Sequence, residues 1–137
     1  MRLAHWAVTY SIKGLLRIAC RVHDDHLARV PKHGPLILVC NHINSLEVPL
    51  MYTHLQPRII TGFAKSETWD NPVMGMLFDL WGAIPLQRGE ADVEAIKRGL
   101  KALDEGKIVV IAPEGTRSGH GRLQQAYAGV VVMALRS

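Results

Sequence analysis

Apolar and polar residues come in blocks along this chain, and the length and period of each block separate strands from helices. "LILVC" (36–40) is a continuous apolar run of strand length, the pattern expected when both faces of a parallel sheet are covered. "RIITGF" (58–63), "GAIPL" (82–86) and "KIVVIA" (107–112) repeat it, and Pro85 marks the third as irregular or near an edge. The intervening stretches predict helices. A short one over 45–55 takes Ser45 as its cap and keeps Pro49 in its first turn, where the missing N–H costs little. Over 71–81, Val73, Met74, Leu77, Phe78 and Trp81 fall at helical spacing and read as core. The clearest helix covers 92–105, where Val93, Ile96, Leu100 and Leu103 form one stripe against Glu94, Lys97, Arg98 and Lys101, with Asp92 to cap it and Gly106 to end it. Strands that alternate with helices predict an α/β fold, a largely parallel or mixed sheet flanked by helices.

Residues 1–22 stand apart as an N-terminal amphipathic helix, and 23–137 read as one domain. On a helical wheel Arg2, Lys13, Arg17 and Arg21 fall within about a third of a turn, while Leu3, Trp6, Ala7, Val8, Leu15, Leu16 and Ile18 supply apolar surface. Such a helix suits a membrane interface, and it equally suits packing on its own domain. The following "RVHDDHLARVPKHGP" is a polar connection closed by Pro31 and Pro35, predicted as loop or edge strand. His23 and His26 flank Asp24 and Asp25 there, but without regular facing or a partner cluster they read as a solvated turn and not as a metal site.

Charge and composition narrow the partners. The 137 residues carry 16 Lys plus Arg against 12 Asp plus Glu, a net charge of +4. That mild excess suits an anionic substrate or an anionic membrane surface; with no basic stripe interleaved with aromatics, nucleic acid is excluded as a partner. Cys20 and Cys40 are too few for a disulfide framework, which points to a reducing compartment. The longest stretches without Asp, Glu, Lys or Arg are 33–46 and 123–135, shorter than the ~18 apolar residues a spanning helix needs. Lys13 and Arg17 interrupt the apolar N-terminal part, so no secretory signal is expected.

In open parallel sheets, functional groups collect just beyond the carboxyl ends of strands. Two loops hold candidate chemistry there, "NHINSLE" after the first strand and "PEGTRS" after the last. His42 and Glu47 are five residues apart, about 140° round a single helix, so they meet only if His42 lies in the loop and Glu47 in the helix's first turn. There the exposed N–H groups favour Glu47 as an anion, which fixes the histidine tautomer and leaves the other ring nitrogen as a base. The alternative is a histidine that caps the helix with Glu47 on the surface. Cys40 and His42 could also form an acyl-enzyme pair in a thioesterase, against the plainer reading of a small buried thiol. "APEGTRS" (112–118) offers loop amides, Thr116, Ser118 and the Arg117 guanidinium, and Arg88 ends another strand. Two guanidiniums and loop amides suit a phosphate. A phosphate would repel Glu114, which is expected to orient an arginine or a loop amide.

These blocks resemble those of the glycerolipid acyltransferases, the group that includes 1-acyl-glycerol-3-phosphate acyltransferase. "NHINSLE" is similar to their Asn-His-x-x-x-x-Asp block, "GAIPLQR" to a Gly-led strand ending in Arg, "APEGTRS" to Phe-Pro-Glu-Gly-Thr-Arg-Ser, and "FAKSETW" to an Ala-Lys-x-Glu stretch. The resemblance implies a glycerol-3-phosphate acyltransferase-like fold. His42 would be the general base that deprotonates the free hydroxyl of a lysophosphatidate-like lipid, and Glu47 would orient it. Arg88 and Arg117, with Glu114, Gly115 and Thr116, would hold the phosphate, and Asn41 and Lys65 would line the same site. It implies no cofactor, no metal and no covalent intermediate. Acyl-CoA or acyl-carrier protein would be the co-substrate, and the enzyme would sit peripherally on the cytoplasmic face of the cell membrane. Two features depart from the family. Glu47 stands where Asp is usual, adding ~1.5 Å of reach. The family pattern also continues beyond "AGVVVMALRS" with a further strand block and helices. The chain therefore reads as C-terminally truncated, with Val130 to Met133 as an exposed apolar edge; the alternative functions are a phosphate- or lipid-binding domain without catalysis, and an acyltransferase acting on another lysophospholipid or on glycerol-3-phosphate.

Overall fold

The computed structural model describes residues 2–87 and 92–137. The four apolar runs become β1 (Leu36–Val39), β2 (Ile60–Lys65), β3 (Ile84–Leu86) and β4 (Ile108–Ile111). They lie side by side in the order β1-β4-β2-β3, and every pairing is parallel. Leu38 stands opposite Val110, Val110 opposite Gly62, and Ala64 opposite Pro85. Pro85 is therefore in an edge strand, where its missing N–H leaves no ladder position empty. β2 starts two residues later than its apolar run. Arg58 does not enter the ladder, and its guanidinium donates to the carbonyls of Pro31, Gly34 and Gly106.

Side-chain alternation along the strands divides the core in two. Leu36, Leu38, Ile108 and Val110 face one layer, made by α1 (Arg2–Ala19), α2 (Glu47–His54) and α3 (Pro72–Leu80). Ile37, Val109 and Ile111 face the other, made by α4 (Val93–Asp104) and α5 (Gly129–Arg136). Both faces are covered, which is why the strands read as continuous apolar runs. Tyr52 of α2 stacks on Trp81 at 4.7 Å, and both rings are buried. On the opposite face Leu103 and Met133 are buried to 2% and 1% exposure, each contributing roughly 1.5–3 kcal/mol by the usual transfer value.

Several elements differ from the pattern-based expectation, each for a packing reason. Asp25–Arg29 is a 3-10 turn and not an edge strand, with Asp24 ion-paired to Arg17 of α1. α3 is capped by Asn71, whose Oδ1 accepts from the N–H groups of Val73 and Met74, but its expected core stripe is half outside. Val73 is 61% exposed while Trp81 is buried. α4 is capped by Asp92, which accepts from the N–H of Ala95 at 2.9 Å, and Gly106 follows its end at φ +75°. Of its expected stripe, Leu103 is buried and Ile96 and Leu100 pack beside it, together with the small residues Ala95, Gly99 and Ala102, whereas Val93 is exposed. At Gly99 a Cβ would stand 2.7 Å from Met133 Cε and 2.8 Å from Phe63 Cζ, so only glycine lets α5 and β2 approach this closely. Residues 130–133 belong to a helix and not to a strand edge: α5 drives Met133 under α4 and leaves Val131 and Leu135 outside.

α1 packs one face on the domain. Trp81 Nε1 donates to buried Thr9 Oγ1 at 3.1 Å, His5 Nδ1 donates to the Leu80 carbonyl at 3.0 Å, and Leu16 is buried. Its outward face carries Leu3, Tyr10, Leu15 and Ile18, all more than half exposed.

Candidate active site

β1 and β4 are neighbours, so the loops that follow them share one end of the sheet. Three bonds tie the loops together. Cys40 N–H donates to the Ile111 carbonyl at 3.1 Å, Ser118 N–H donates to the His42 carbonyl at 2.7 Å, and Arg117 Nη1 donates to Ser45 Oγ at 2.8 Å.

β1 stops at Val39 and α2 starts at Glu47, which places His42 in the loop and Glu47 in the first helical turn. The glutamate's extra methylene lets its carboxylate reach back. Oε2 lies 2.7 Å from His42 Nδ1, and Oε1 accepts from the N–H groups of Ile43 at 2.7 Å and Asn44 at 3.0 Å. Burial alone would raise the Glu47 pKa, but the bonds from His42, Asn44 and Ile43 and the nearby imidazole outweigh it and hold the pKa below its ordinary value. Glu47 is therefore an anion at neutral pH. An anionic acceptor requires Nδ1 to carry the hydrogen, which leaves the lone pair on Nε2. His42 is about 20% exposed along its side chain, and Nε2 has no partner among the described residues. The arrangement provides an oriented, solvent-reachable base; the helix-cap alternative for His42 does not occur.

The expected cap role of Ser45 does not occur either. Asn44 Oδ1 accepts from Leu46 N–H at 2.7 Å, and Ser45 turns instead toward Arg117. Gly115 sits at φ +65°, a backbone conformation that favours glycine in the tight 112–118 turn, and the Tyr127 ring lies 3.2 Å from where a Cβ would stand. Tyr127 N–H in turn donates to the Pro113 carbonyl at 2.8 Å, folding the following segment back over this loop. Glu114 is 4% exposed, and among the described residues it meets no arginine: its Oε2 accepts from Gln124 Nε2 at 3.2 Å, and its buried Oε1 has no partner among them. Thr116 and Arg117 are exposed on the rim, as are Asn41 after β1 and Lys65 at the end of β2. Arg88 lies outside the described residues; β3, the strand at the far edge of the sheet from β1, ends two residues before it at the same carboxyl end. Ser45 and Gln124 carried no sequence signal for these contacts, since their partners lie 72 and 10 residues away.

The surroundings of Cys40 disfavour a thiolate. Burial first, then the charges of Glu47 and Glu114, push its thiol up to about 11, so at neutral pH it is un-ionised. Among the described residues its sulfur has one hydrogen-bond partner, the Ile111 carbonyl at 3.9 Å, and no bond to His42. The thioesterase reading therefore loses its attacking group. Among the described residues no group of three His, Cys, Asp or Glu side chains converges as a metal site. Nor is any described helix long and apolar enough to cross a membrane.

Comparison with known proteins adds the lineage. The sequence matches the family model Acyltransferase over residues 20–137. The chloroplastic 1-acyl-sn-glycerol-3-phosphate acyltransferase of Arabidopsis thaliana is 30% identical over 121 residues, covering 85% of this chain and 33% of that protein. The 1-acyl-sn-glycerol-3-phosphate acyltransferase of Bacillus subtilis is 28% identical over 108 residues, 79% of this chain and 54% of that one. The lyso-ornithine lipid O-acyltransferase of Rhizobium meliloti is 29% identical over 114 residues, 80% of this chain and 36% of that one. The chain thus spans between a third and about half of the length of these relatives. The crystal structure of the 1-acyl-sn-glycerophosphate acyltransferase of Thermotoga maritima superposes with a TM-score of 0.77 at 22% identity, covering 98% of this chain and 56% of that one, which is a likeness of fold. Because the family match runs through both strand-end loops and all four strands, this chain belongs to the acyltransferase family.

Proposed function

We propose that this chain carries the catalytic centre of an O-acyltransferase that moves a fatty acyl group from acyl-CoA or acyl-carrier protein to the free hydroxyl of 1-acyl-glycerol-3-phosphate. The observation that carries the reading is the 2.7 Å bond from His42 to Glu47 at the carboxyl end of the sheet, beside the loop that presents Arg117. His42 Nε2 takes the hydroxyl proton as the oxygen attacks the thioester carbonyl. The carbon–sulfur bond then breaks, and the departing thiolate receives the proton from the imidazolium, giving the diacyl product and a free thiol. Positioned base catalysis of this kind contributes about 10²–10⁴-fold. Arg117, the 114–116 loop and Arg88 hold the phosphate, with Lys65 and Asn41 on the same rim, so the attacking hydroxyl is fixed at both ends. No metal and no cofactor enters the reaction. The names of the Arabidopsis and Bacillus relatives support a phosphate-bearing acceptor.

The reaction takes place peripherally at a membrane, on the cytoplasmic face, with the outward apolar face of α1 in the lipid interface. Support for this placement comes from Leu3 and Ile18 on that face, each 86% exposed.

The test is transfer of a radiolabelled acyl group from acyl-CoA to lysophosphatidate by the purified chain and by His42→Ala. Product from the wild type alone supports the assignment. A folded wild type that makes none would overturn it in favour of a non-catalytic phosphate- or lipid-binding domain, and product only with a phosphate-free lyso-lipid would move the acceptor toward that of the Rhizobium relative.

A further inference from the structure

Resting on the reading of the Arg117 rim as the phosphate seat, we propose that Ser45 is a positioning residue for phosphomonoester recognition, holding the Arg117 guanidinium in place through a neutral anchor. Arg117 has no carboxylate within ion-pair reach among the described residues, and its one side-chain bond is the 2.8 Å contact from Nη1 to Ser45 Oγ. An arginine has five N–H donors, so four remain to face a ligand. The chemistry of the anchor matters. A carboxylate at position 45 would hold the guanidinium more firmly but would spend its charge and repel an incoming phosphate. A hydroxyl fixes the fork and leaves the positive charge whole. The long arginine side chain then loses less rotamer freedom when ligand arrives, the usual origin of affinity gained by preorganisation. The contact also spans the two catalytic loops: Ser45 lies two residues before Glu47, and Arg117 immediately precedes Ser118, whose N–H holds the His42 carbonyl at 2.7 Å. The phosphate seat and the base are therefore set at a fixed separation by one pair of loops.

The experiment is calorimetric titration of the full chain with hexanoyl-lysophosphatidate at one ionic strength, with circular dichroism to verify folding. The variants are Ser45→Ala, Ser45→Thr, Ser45→Asp, Arg117→Ala and the Ser45→Ala/Arg117→Ala double. Ser45→Ala is expected to weaken binding about fivefold to tenfold, the size of one such hydrogen bond. Ser45→Thr should restore it to within about twofold of wild type, and Ser45→Asp should bind more weakly than Ser45→Ala. Since Ser45 acts through Arg117, Ser45→Ala should cost nothing further once Arg117 is alanine. Wild-type affinity in Ser45→Ala, or an undiminished penalty in the Arg117→Ala background, would overturn the role of Ser45 while leaving the phosphate seat in place. Equal binding by wild type and Arg117→Ala, or none by either, would remove the seat itself and the inference with it.

Discussion

Replacing Glu47 by glutamine removes one charge from the centre of the site and almost no volume. Of the three bonds its carboxylate accepts, those from Ile43 and Asn44 N–H survive on an amide oxygen, while the third partner, His42 Nδ1 at 2.7 Å, now faces an NH₂ group. Donor cannot meet donor, so the imidazole takes the opposite tautomer, with its hydrogen on Nε2, and the basic lone pair turns inward. The full contribution of a general base is then at stake, about 10²–10⁴-fold in kcat, or roughly 2.7–5.4 kcal/mol of barrier. Stability should suffer far less. Two bonds weaken from charge-assisted to neutral strength and the favourable charge at the start of α2 is lost, together about 1–2 kcal/mol. Steady-state acyl transfer and urea unfolding separate the two effects. The sign with pH is also determined. Glu47 has a lowered pKa in the folded state, so its stabilisation is complete above its ordinary value of 4.5 and is lost as pH falls through the lower folded value. The stability gap between wild type and Glu47→Gln should therefore close in acid. A folded Glu47→Gln enzyme that keeps more than about a tenth of kcat would refute the claim that this carboxylate orients the base.

Other perturbations reach different parts of the molecule. Gly99→Val brings branched carbon into a gap where even Cβ would lie 2.7 Å from Met133, and should cost about 1–3 kcal/mol in urea unfolding; wild-type stability would mean that α5 is not packed on α4 as described. Cys40→Ser should leave acyl transfer within about twofold, since the thiol is un-ionised, and a hundredfold loss would restore it as a nucleophile. Burial, followed by the charges of Lys13 and Arg17 against the opposing Leu50 carbonyl and Asp24, leaves buried His54 with a lowered pKa. The folded protein should thus lose stability as pH falls below about 6.5, and His54→Gln should flatten that limb; a pH-independent wild type between 7.5 and 5.5 would contradict this. Leu3→Glu with Ile18→Glu should abolish flotation with anionic vesicles while leaving the fold intact, and unchanged flotation would remove α1 from the membrane contact.

Local chemistry and local period determined much of this protein from its sequence. The four strands were legible because a strand covered on both faces must be apolar at every position, and α4 because Asp92 and Gly106 mark its ends. His42 and Glu47 were legible as a pair because five residues across a strand-to-helix junction leave one geometry in which they meet, and the structure has it. Tertiary structure decided whatever depends on residues far apart in the chain. The order β1-β4-β2-β3 places the first and last strands together, and only that adjacency brings Ser118 to His42 and Arg117 to Ser45. It also reassigned local signals: Ser45 gave up its cap for an arginine 72 residues away, and Glu114 turned from the rim into the core toward Gln124. Even the inward face of α4 was set from outside: Ile96, Leu100 and Leu103 of the expected stripe pack inward, but Gly99 sits between them to admit Met133 and Phe63, and Val93 is left exposed. A helix period shows which residues share a face, and the neighbour that must fit against that face determines which of them is buried.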